Sequence, residues 1–438
     1  MAQGNQLIKI GTKLPMVNKG YCRIDEFLGG GGQGEVYKVK TDKGYFALKW
    51  YFSRNQTKQL KDSLKELIDR GSPGDTFLWP KQIVEHEGQF GYLMDLRPSY
   101  FKKSQKLLDR EFSLSYSQVC NISLSLVDSF RKLHVKGLSY QDISWGNLFI
   151  DPTKGDILIC DNDNVAPHGS SSIGISGTYG FMAPEVVRGE FKPDQYSDLF
   201  SLAVLMFQLL FLEHPFNGRR WAKIACWDDF AKKKLYGTEP IFIFDPNNKE
   251  NRPMPGVQDN AELFWQMYPE YIRNNFTRVF TIGLTDRQNG RLLEEKWIDD
   301  FRILKESIFP CPYCEKENLY NYPPGQVCWA KSCKNQIKPP PRLKIKIGKR
   351  ERTIVLNTNT KLYAYQISPR DEYDVVKGNK IIAEMATSPG GKWGLRNLTK
   401  QPWQSTSNNQ TKEVEPGKAF VLSRGVEINF GNATAVVE

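Results

Sequence analysis

Three stretches of this 438-residue chain carry residue types suited to holding and moving a phosphoryl group. Leu28 to Tyr37 reads LGGGGQGEVY, with Gly29, Gly31, Gly34 and Val36 in a G-x-G-x-x-G-x-V spacing. Lacking Cβ atoms, such glycines let the backbone approach phosphate oxygens and aim N–H groups at them. A glycine run alone can equally be a flexible turn. The dinucleotide-binding form of the pattern runs directly into a helix, whereas Glu35 to Lys40 reads as a strand. Thirteen residues past Val36, Ala47-Leu48-Lys49 ends an apolar run. Opposite a glycine flap, that ammonium could bind phosphates as a point charge. The third stretch, residues 133–150, reads LHVKGLSYQDISWGNLFI and places Asp142 and Asn147 five apart in a loop, with Asp161 ending a second apolar strand ten residues on. Two carboxylates and an amide at neighbouring strand ends suit a Mg²⁺–phosphate site with one acid left as a base. Either acid alone is more simply a turn or cap residue.

The elements that must position these groups can be read from periodicity. Arg23 to Trp50 reads as three strands, with a hairpin signal at Thr41-Asp42-Lys43-Gly44. Leu60, Leu64, Leu67 and Ile68 fall on one helical face, and Gly71-Ser72-Pro73-Gly74 stops that helix. Strands are expected around 82–84 and 91–96, then a long helix with Val119, Ile122, Leu126, Phe130 and Leu133 on its apolar stripe. Leu199 to Leu212, at 14 residues, is too short to cross a bilayer and fits a buried helix.

A second chemistry sits further on. Cys311-Pro-Tyr-Cys314 and Cys328-Trp-Ala-Lys-Ser-Cys333 form a C-x₂-C…C-x₄-C set. Four thiolates on two short turns suit tetrahedral Zn²⁺. Filled by protein on all four sides, the site is expected to be structural. Four reduced thiols without metal are the plainer alternative. The other cysteines, Cys22, Cys120, Cys160 and Cys226, are scattered singly. Lys331 to Arg352 holds nine Lys/Arg and one acid, which reads as a solvated linker and strand surface before it reads as a nucleic-acid contact.

At 40% hydrophobic, 12% aromatic and 25% charged, the chain excludes disordered, collagenous and low-complexity classes over most of its length. A formal charge of +11 favours acidic partners without choosing among them. The first fifteen residues lack the apolar stretch of a signal peptide, so a cytoplasmic chain with reduced thiols and no membrane span is expected.

In this order, the landmarks resemble those of a eukaryotic-type (Hanks-type) Ser/Thr protein kinase of bacterial character. Gly177-Thr178-Tyr179-Gly180-Phe181-Met182-Ala183-Pro184-Glu185 is similar to that family's G-T-x-x-Y-M-A-P-E, Ser197 to Ala203 resembles the start of its buried central helix, and Arg291 and Trp297 resemble its late arginine and tryptophan. The resemblance implies an α+β, bilobal fold: an N-terminal extension at 1–19, a small lobe at 20–96 and a large lobe at 97–308. A zinc ribbon at 309–340 and an all-β sandwich at 341–438, resembling a forkhead-associated domain, would follow. ATP would lie among Leu28, Gly29, Gly31, Gly34, Val36, Ala47, Met94, Asp95 and Leu96. Lys49 would bind phosphates, Asp161 and Asn147 Mg²⁺, and Asp142 would take the proton of a protein Ser/Thr hydroxyl. Glu66, 17 residues past Lys49, would be its ion-pair partner, although periodicity turns it away from the apolar stripe. The appended modules resemble those of kinases encoded with von Willebrand-type adhesion-domain proteins and metal-dependent phosphatases.

The sequence departs from that pattern in three places. H-R-D is Tyr140-Gln141-Asp142, so activity independent of activation-loop phosphorylation is expected. Ser144 stands where a lysine is usual, and D-F-G is Asp161-Asn162-Asp163, with Asp163 expected to cap a turn. Ser170, Ser171, Ser172 and Ser176 are candidate autophosphorylation sites. An ATP-binding pseudokinase scaffold and a small-molecule kinase are the competing readings.

Overall fold

The computed structural model describes residues 6–17, 20–170, 177–320, 327–338, 340–368, 378–388 and 390–438. Ser171, Ser172 and Ser176 lie outside them. The chain divides into two units, Met1–Leu114 with Asn121–Trp265 and Arg273–Glu294, and Ser115–Cys120 with Gln266–Ile272 and Glu295–Glu438.

The first unit begins with a six-stranded antiparallel sheet: β1 (Lys13–Pro15), β2 (Tyr21–Gly30), β3 (Gly34–Thr41), β4 (Gly44–Tyr51), β5 (Gln82–His86) and β6 (Gln89–Asp95), in spatial order β1-β2-β3-β4-β6-β5. β1 pairs with β2 through Leu14 and Cys22, so the sheet reaches back into the segment expected to precede it. Alternation along β3 sends Tyr37 and Val39 into one core with Leu48, Trp50 and Val84. Helix α1 (Lys58–Arg70) is capped by Thr57, whose side chain accepts the Leu60 amide, and stops at Gly71 in the left-handed region (φ 67°). Leu64 and Leu67 face inward while its three acids, Asp62, Glu66 and Asp69, lie on the exposed side.

The helical part follows. α2 (Tyr116–Val135) leads through the Asp142 turn into β7 (Leu148–Ile150), which pairs with β8 (Ile157–Ile159). α3 (Gln195–Phe211) opens on a reciprocal cap between Asp194 and Ser197, and every residue from Ser197 to Phe211 is buried. Its mean hydropathy suits a helix enclosed on all sides, and Phe200, Phe207 and Phe211 pack against Phe216, Phe276 and Phe280. No helix among the described residues is long and apolar enough to cross a membrane.

Helix α4 (Glu294–Glu306), which enters the second unit at Glu295, precedes the paired strands Ile308–Pro310 and Glu317–Leu319. Among the described residues, ten short strands then form two antiparallel sheets, one of six and one of four. The six-stranded sheet contributes Leu343, Ile345 and Trp403 and the four-stranded sheet Ala383, Leu395 and Phe420 to one shared core, which makes the tail a β-sandwich. Arg352 is not a solvated member of the basic stretch: its side chain is 8% exposed and held by Asp299 (2.6 Å) and Glu306.

Candidate active site

The glycine segment is a tight hairpin between β2 and β3, closed by the Gly31 N–H donating to the Gly34 carbonyl (2.9 Å). A Cβ on Gly34 would lie 2.1 Å from the Trp50 carbonyl oxygen, so no other residue fits there. Around Gly29, Gly31 and Gly32 there is open space, as close approach by a ligand requires. Gln33, at the tip, folds inward and its Oε1 accepts from Lys49 Nζ (2.9 Å).

Below the hairpin, Val36, Ala47, Met94, Leu96, Leu158 and Cys160 belong to one apolar cluster. Ala47 stands opposite Met94 in the β4–β6 register, and Val36 opposite Lys49 in β3–β4. Leu28 is exposed at the hairpin, and Asp95 forms an exposed ion pair with Lys81. Of the residues expected to surround a nucleotide base, Val36, Ala47, Met94 and Leu96 thus converge, from β3, β4, β6 and the segment just after β6.

Lys49 is 4% exposed, and its ammonium meets Asp163 (2.8 and 3.0 Å) and Asp161 (3.4 Å). Burial disfavours its charge, but the two carboxylates outweigh that and raise its pKa. For Asp163, burial pushes the carboxyl up while the Lys49 charge more than offsets it, so the net shift is downward. Tyr51 (2.6 Å) and Tyr92 (3.2 Å) also donate to Asp163. Asp163 therefore does not cap a turn. Glu66 is not brought to Lys49 either: it is exposed and pairs with Arg70 one turn along α1 (2.7 Å), as the helical period implies.

Across the cleft, Asp142 accepts from Asn147 Nδ2 (3.0 Å) and Thr178 Oγ1 (2.7 Å). Burial holds its carboxyl above the usual carboxylate range. The Asn147 amide nitrogen also donates to the Asp142 carbonyl (2.9 Å), which commits its NH₂ group and leaves its oxygen as the atom suited to a cation. The backbone of Asn147 ties to the next strand, its carbonyl accepting from Cys160 N–H (3.0 Å). Asp161 is in the left-handed region (φ 52°, ψ 44°), an uncommon conformation for a residue with a Cβ and one that collects at functional sites. Asp161 and Asn147 offer the hard oxygen donors that Mg²⁺ takes.

The turn carrying Asp142 hangs from α3. Asp198 accepts the Tyr140 N–H (2.6 Å) and the Gln141 N–H (3.0 Å), and His134 bridges Asp198 (3.2 Å) and Glu294. Tyr140 is fully buried and its hydroxyl donates to the Cys160 carbonyl. Gln141, at φ 71°, donates its side-chain amide to the Ser170 carbonyl (2.6 Å). Glu185 receives both terminal Arg291 nitrogens (2.8 Å each) and also Arg287 (2.9 Å), which itself spans to Asp194. Sequence reasoning missed Arg287; its position four residues before Arg291 was the available signal.

His134 gives a pH prediction. Burial opposes its charge, but the two acids raise its pKa from 6.5 to about 9. A group raised on folding contributes stability that is complete below pH 6.5 and is lost as pH climbs toward 9. We expect the urea midpoint to fall between pH 6 and pH 9, with His134→Gln flattening that slope by about 3 kcal/mol. An unchanged slope in the variant would refute the assignment.

In the second unit, the Sγ atoms of Cys311, Cys314, Cys328 and Cys333 all lie within 4.8 Å of one another. The 311–333 and 314–328 separations are 3.9 and 3.6 Å. Tetrahedral Zn–S bonds of about 2.3 Å would put sulfurs about 3.8 Å apart. Glu315 and Lys334, just past each cysteine pair, are left-handed (φ 61° and 52°) and close the two turns. Asn335 and Asn318 amides point at Cys333 and Cys328 sulfurs (3.3 and 3.8 Å), where an N–H donor steadies a thiolate's charge. A separate cleft of about 860 Å³ in this unit is lined by Glu306, Tyr363, Tyr365 and Trp393, and none of the phosphate-site residues borders it.

A glycine hairpin, a buried strand lysine, an Asp…Asn turn and an acid after the next strand, set between a β-rich and a helical lobe, define a phosphoryl-transfer site of the kinase class. The protein kinase domain profile matches residues 22–254, more than half of the chain, and the chain belongs to the protein kinase family. It is similar to a cell cycle serine/threonine-protein kinase of Saccharomyces cerevisiae, 25% identical over 253 residues, covering 55% of this chain and 36% of the relative. It is also similar to mitogen-activated protein kinase kinase kinase 7 of Drosophila melanogaster (23% over 256 residues, 56% and 35%) and to ribosomal protein S6 kinase alpha-2 of Homo sapiens (27% over 207 residues, 44% and 27%). The chain spans about a third of the length of these relatives.

Proposed function

We propose that the protein is a Ser/Thr protein kinase that moves the γ-phosphoryl group of ATP to a protein hydroxyl. The carrying observation is the convergence, in one unit, of Lys49 with Asp161 and of Asp142 with Asn147 and Thr178. The base would lie against Val36, Ala47 and Met94, the triphosphate under the glycine hairpin, and Lys49 on the phosphates once Gln33 gives way. Mg²⁺ held by Asp161 and Asn147 would neutralise phosphate charge. Asp142 would orient the hydroxyl and accept its proton as oxygen bonds the γ-phosphorus and the bond to the β–γ bridging oxygen breaks, releasing ADP. The retained Lys49, Asp142, Asn147 and Asp161 favour transfer over a pseudokinase scaffold, and the Gly177 to Glu185 segment favours a protein substrate.

The cysteine cluster is proposed as a structural Zn²⁺ site in a ribbon. The sandwich is proposed as a forkhead-associated-like docking module, and together they would select partners in a cytoplasmic setting. Adhesion-domain proteins of the von Willebrand type and metal-dependent phosphatases are candidate partners on the module resemblance alone.

The test is radiolabelled ATP-Mg²⁺ with the purified chain and a generic protein substrate. Label on serine or threonine supports the reading; ATP binding without transfer points to the scaffold. Because Gln141, not an arginine awaiting a phosphate, holds the Ser170 backbone, prior phosphatase treatment is expected to leave turnover within about twofold. Its abolition would refute loop-phosphorylation independence.

A further inference from the structure

A strand lysine can serve phosphates only if its flexible stem is held in place, and here the holding groups come from an unexpected side. β4 and β6 pair with Lys49 directly opposite Tyr92, and Tyr51 lies two residues beyond Lys49 on β4. Successive strand residues alternate faces, so Lys49, Tyr51 and Tyr92 share one face of the sheet. All three converge on Asp163, whose side chain is 1% exposed. Its Oδ1 accepts from Lys49 and Tyr92, its Oδ2 from Lys49 and Tyr51. Both carboxylate oxygens are thus used, and the anion is compensated by one cation and two phenols. α1 contributes Leu60, Leu64 and Ile68 to the apolar cluster and lies against the Asn162–Asn164 turn, with its acids on the exposed side.

Building on the kinase reading, we propose that Asp163, braced by Tyr51 and Tyr92, is the positioning residue for Lys49 in place of an acid from α1. The carboxylate that orders the lysine then sits two residues after Asp161 on the same short segment. Displacing the 161–163 segment would release the lysine and the metal-side acid together.

The test compares the full-length wild type with Asp163→Asn, Glu66→Gln, Lys49→Met and the double variant Lys49→Met/Asp163→Asn. Steady-state transfer and binding of a fluorescent ATP analogue are both read, with thermal melts as the folding control. Asp163→Asn is expected to lower transfer on the order of 100-fold, the scale set by a misplaced catalytic charge. Glu66→Gln should stay within about twofold of wild type. The double variant should be no worse than Lys49→Met, because the two residues act as one unit, whereas a merely architectural Asp163 would give multiplying losses. Should Asp163→Asn fail to fold, Tyr51→Phe, which keeps the ring packing, is expected to lower transfer several-fold. Loss in Glu66→Gln with Asp163→Asn (or Tyr51→Phe) unaffected overturns the proposal, as do multiplying losses. A wild type that binds nucleotide without transferring phosphate sinks the kinase reading alone, and the binding series then decides the pairing. Failure to bind as well sinks both.

Discussion

Asp142→Asn is expected to lower kcat about 1,000-fold, within the range set by removal of a positioned general base. The substitution keeps shape and removes proton affinity. Its amide oxygen can still accept from Thr178, but its NH₂ would face the Asn147 NH₂, which now donates to a carboxylate oxygen. That mismatch costs about 1–2 kcal/mol, enough to lower the melting temperature by a few degrees and far too little to explain a thousandfold loss. Nucleotide affinity should hold, since Asp142 does not contact Lys49. Burial raises the Asp142 carboxyl, so the acid limb of the wild-type rate profile is expected above the ordinary carboxylate range near 4. Activity should fall as pH drops through that raised value. Transfer within tenfold of wild type in Asp142→Asn would remove Asp142 from its role.

Cys328→Ser, or prolonged chelation of the native chain, is expected to unfold the segment around the cysteine cluster. Phe309, Ala330, Ile337 and Val355 form the small apolar core beside it. So few side chains supply only several kcal/mol, against about 10–16 kcal/mol for a structural Zn²⁺ in a small domain. The metal term dominates. Metal analysis should give about one zinc per chain in wild type and none in the variant. Limited proteolysis should then cut between 309 and 338 while the six-stranded sheet stays resistant. Protein purified without chelator that carries no metal, with an unchanged digestion pattern, would show four plain thiols.

The parts of the site legible in sequence were those carried by short spacing or by an ordered set of landmarks. Asp142 and Asn147 lie on one turn, where local pattern suffices, whereas Glu185 and Arg291, 106 positions apart, were legible only through the order of landmarks in the family resemblance. The Lys49–Asp163 pair was not legible. Its members are 114 positions apart, and Asn-Asp-Asn reads as turn chemistry until the sheet face carrying Tyr51 and Tyr92 is seen to cover it. The i, i+2 pair Lys49/Tyr51 was the one local hint. For Glu66 the helical period argued correctly against the placement that spacing to Lys49 suggested. Arg352 misled differently: a basic run looks solvated, and only the tertiary arrangement of Asp299 and Glu306 reveals that one member is enclosed. In the tail, the family resemblance implied a sandwich, but Lys361 to Gln366 bends into a helical turn after three strand residues, through a Tyr363–Gln366 hydrogen bond that alternation cannot foresee.

Asp198 suspends the turn bearing Asp142 from the foot of a helix whose residues from Ser197 onward are wholly enclosed. Such a support has no way to soften by degrees. Warming should therefore leave the chemistry intact until the lobe melts, and the temperature of heat inactivation should coincide with the calorimetric peak of that lobe.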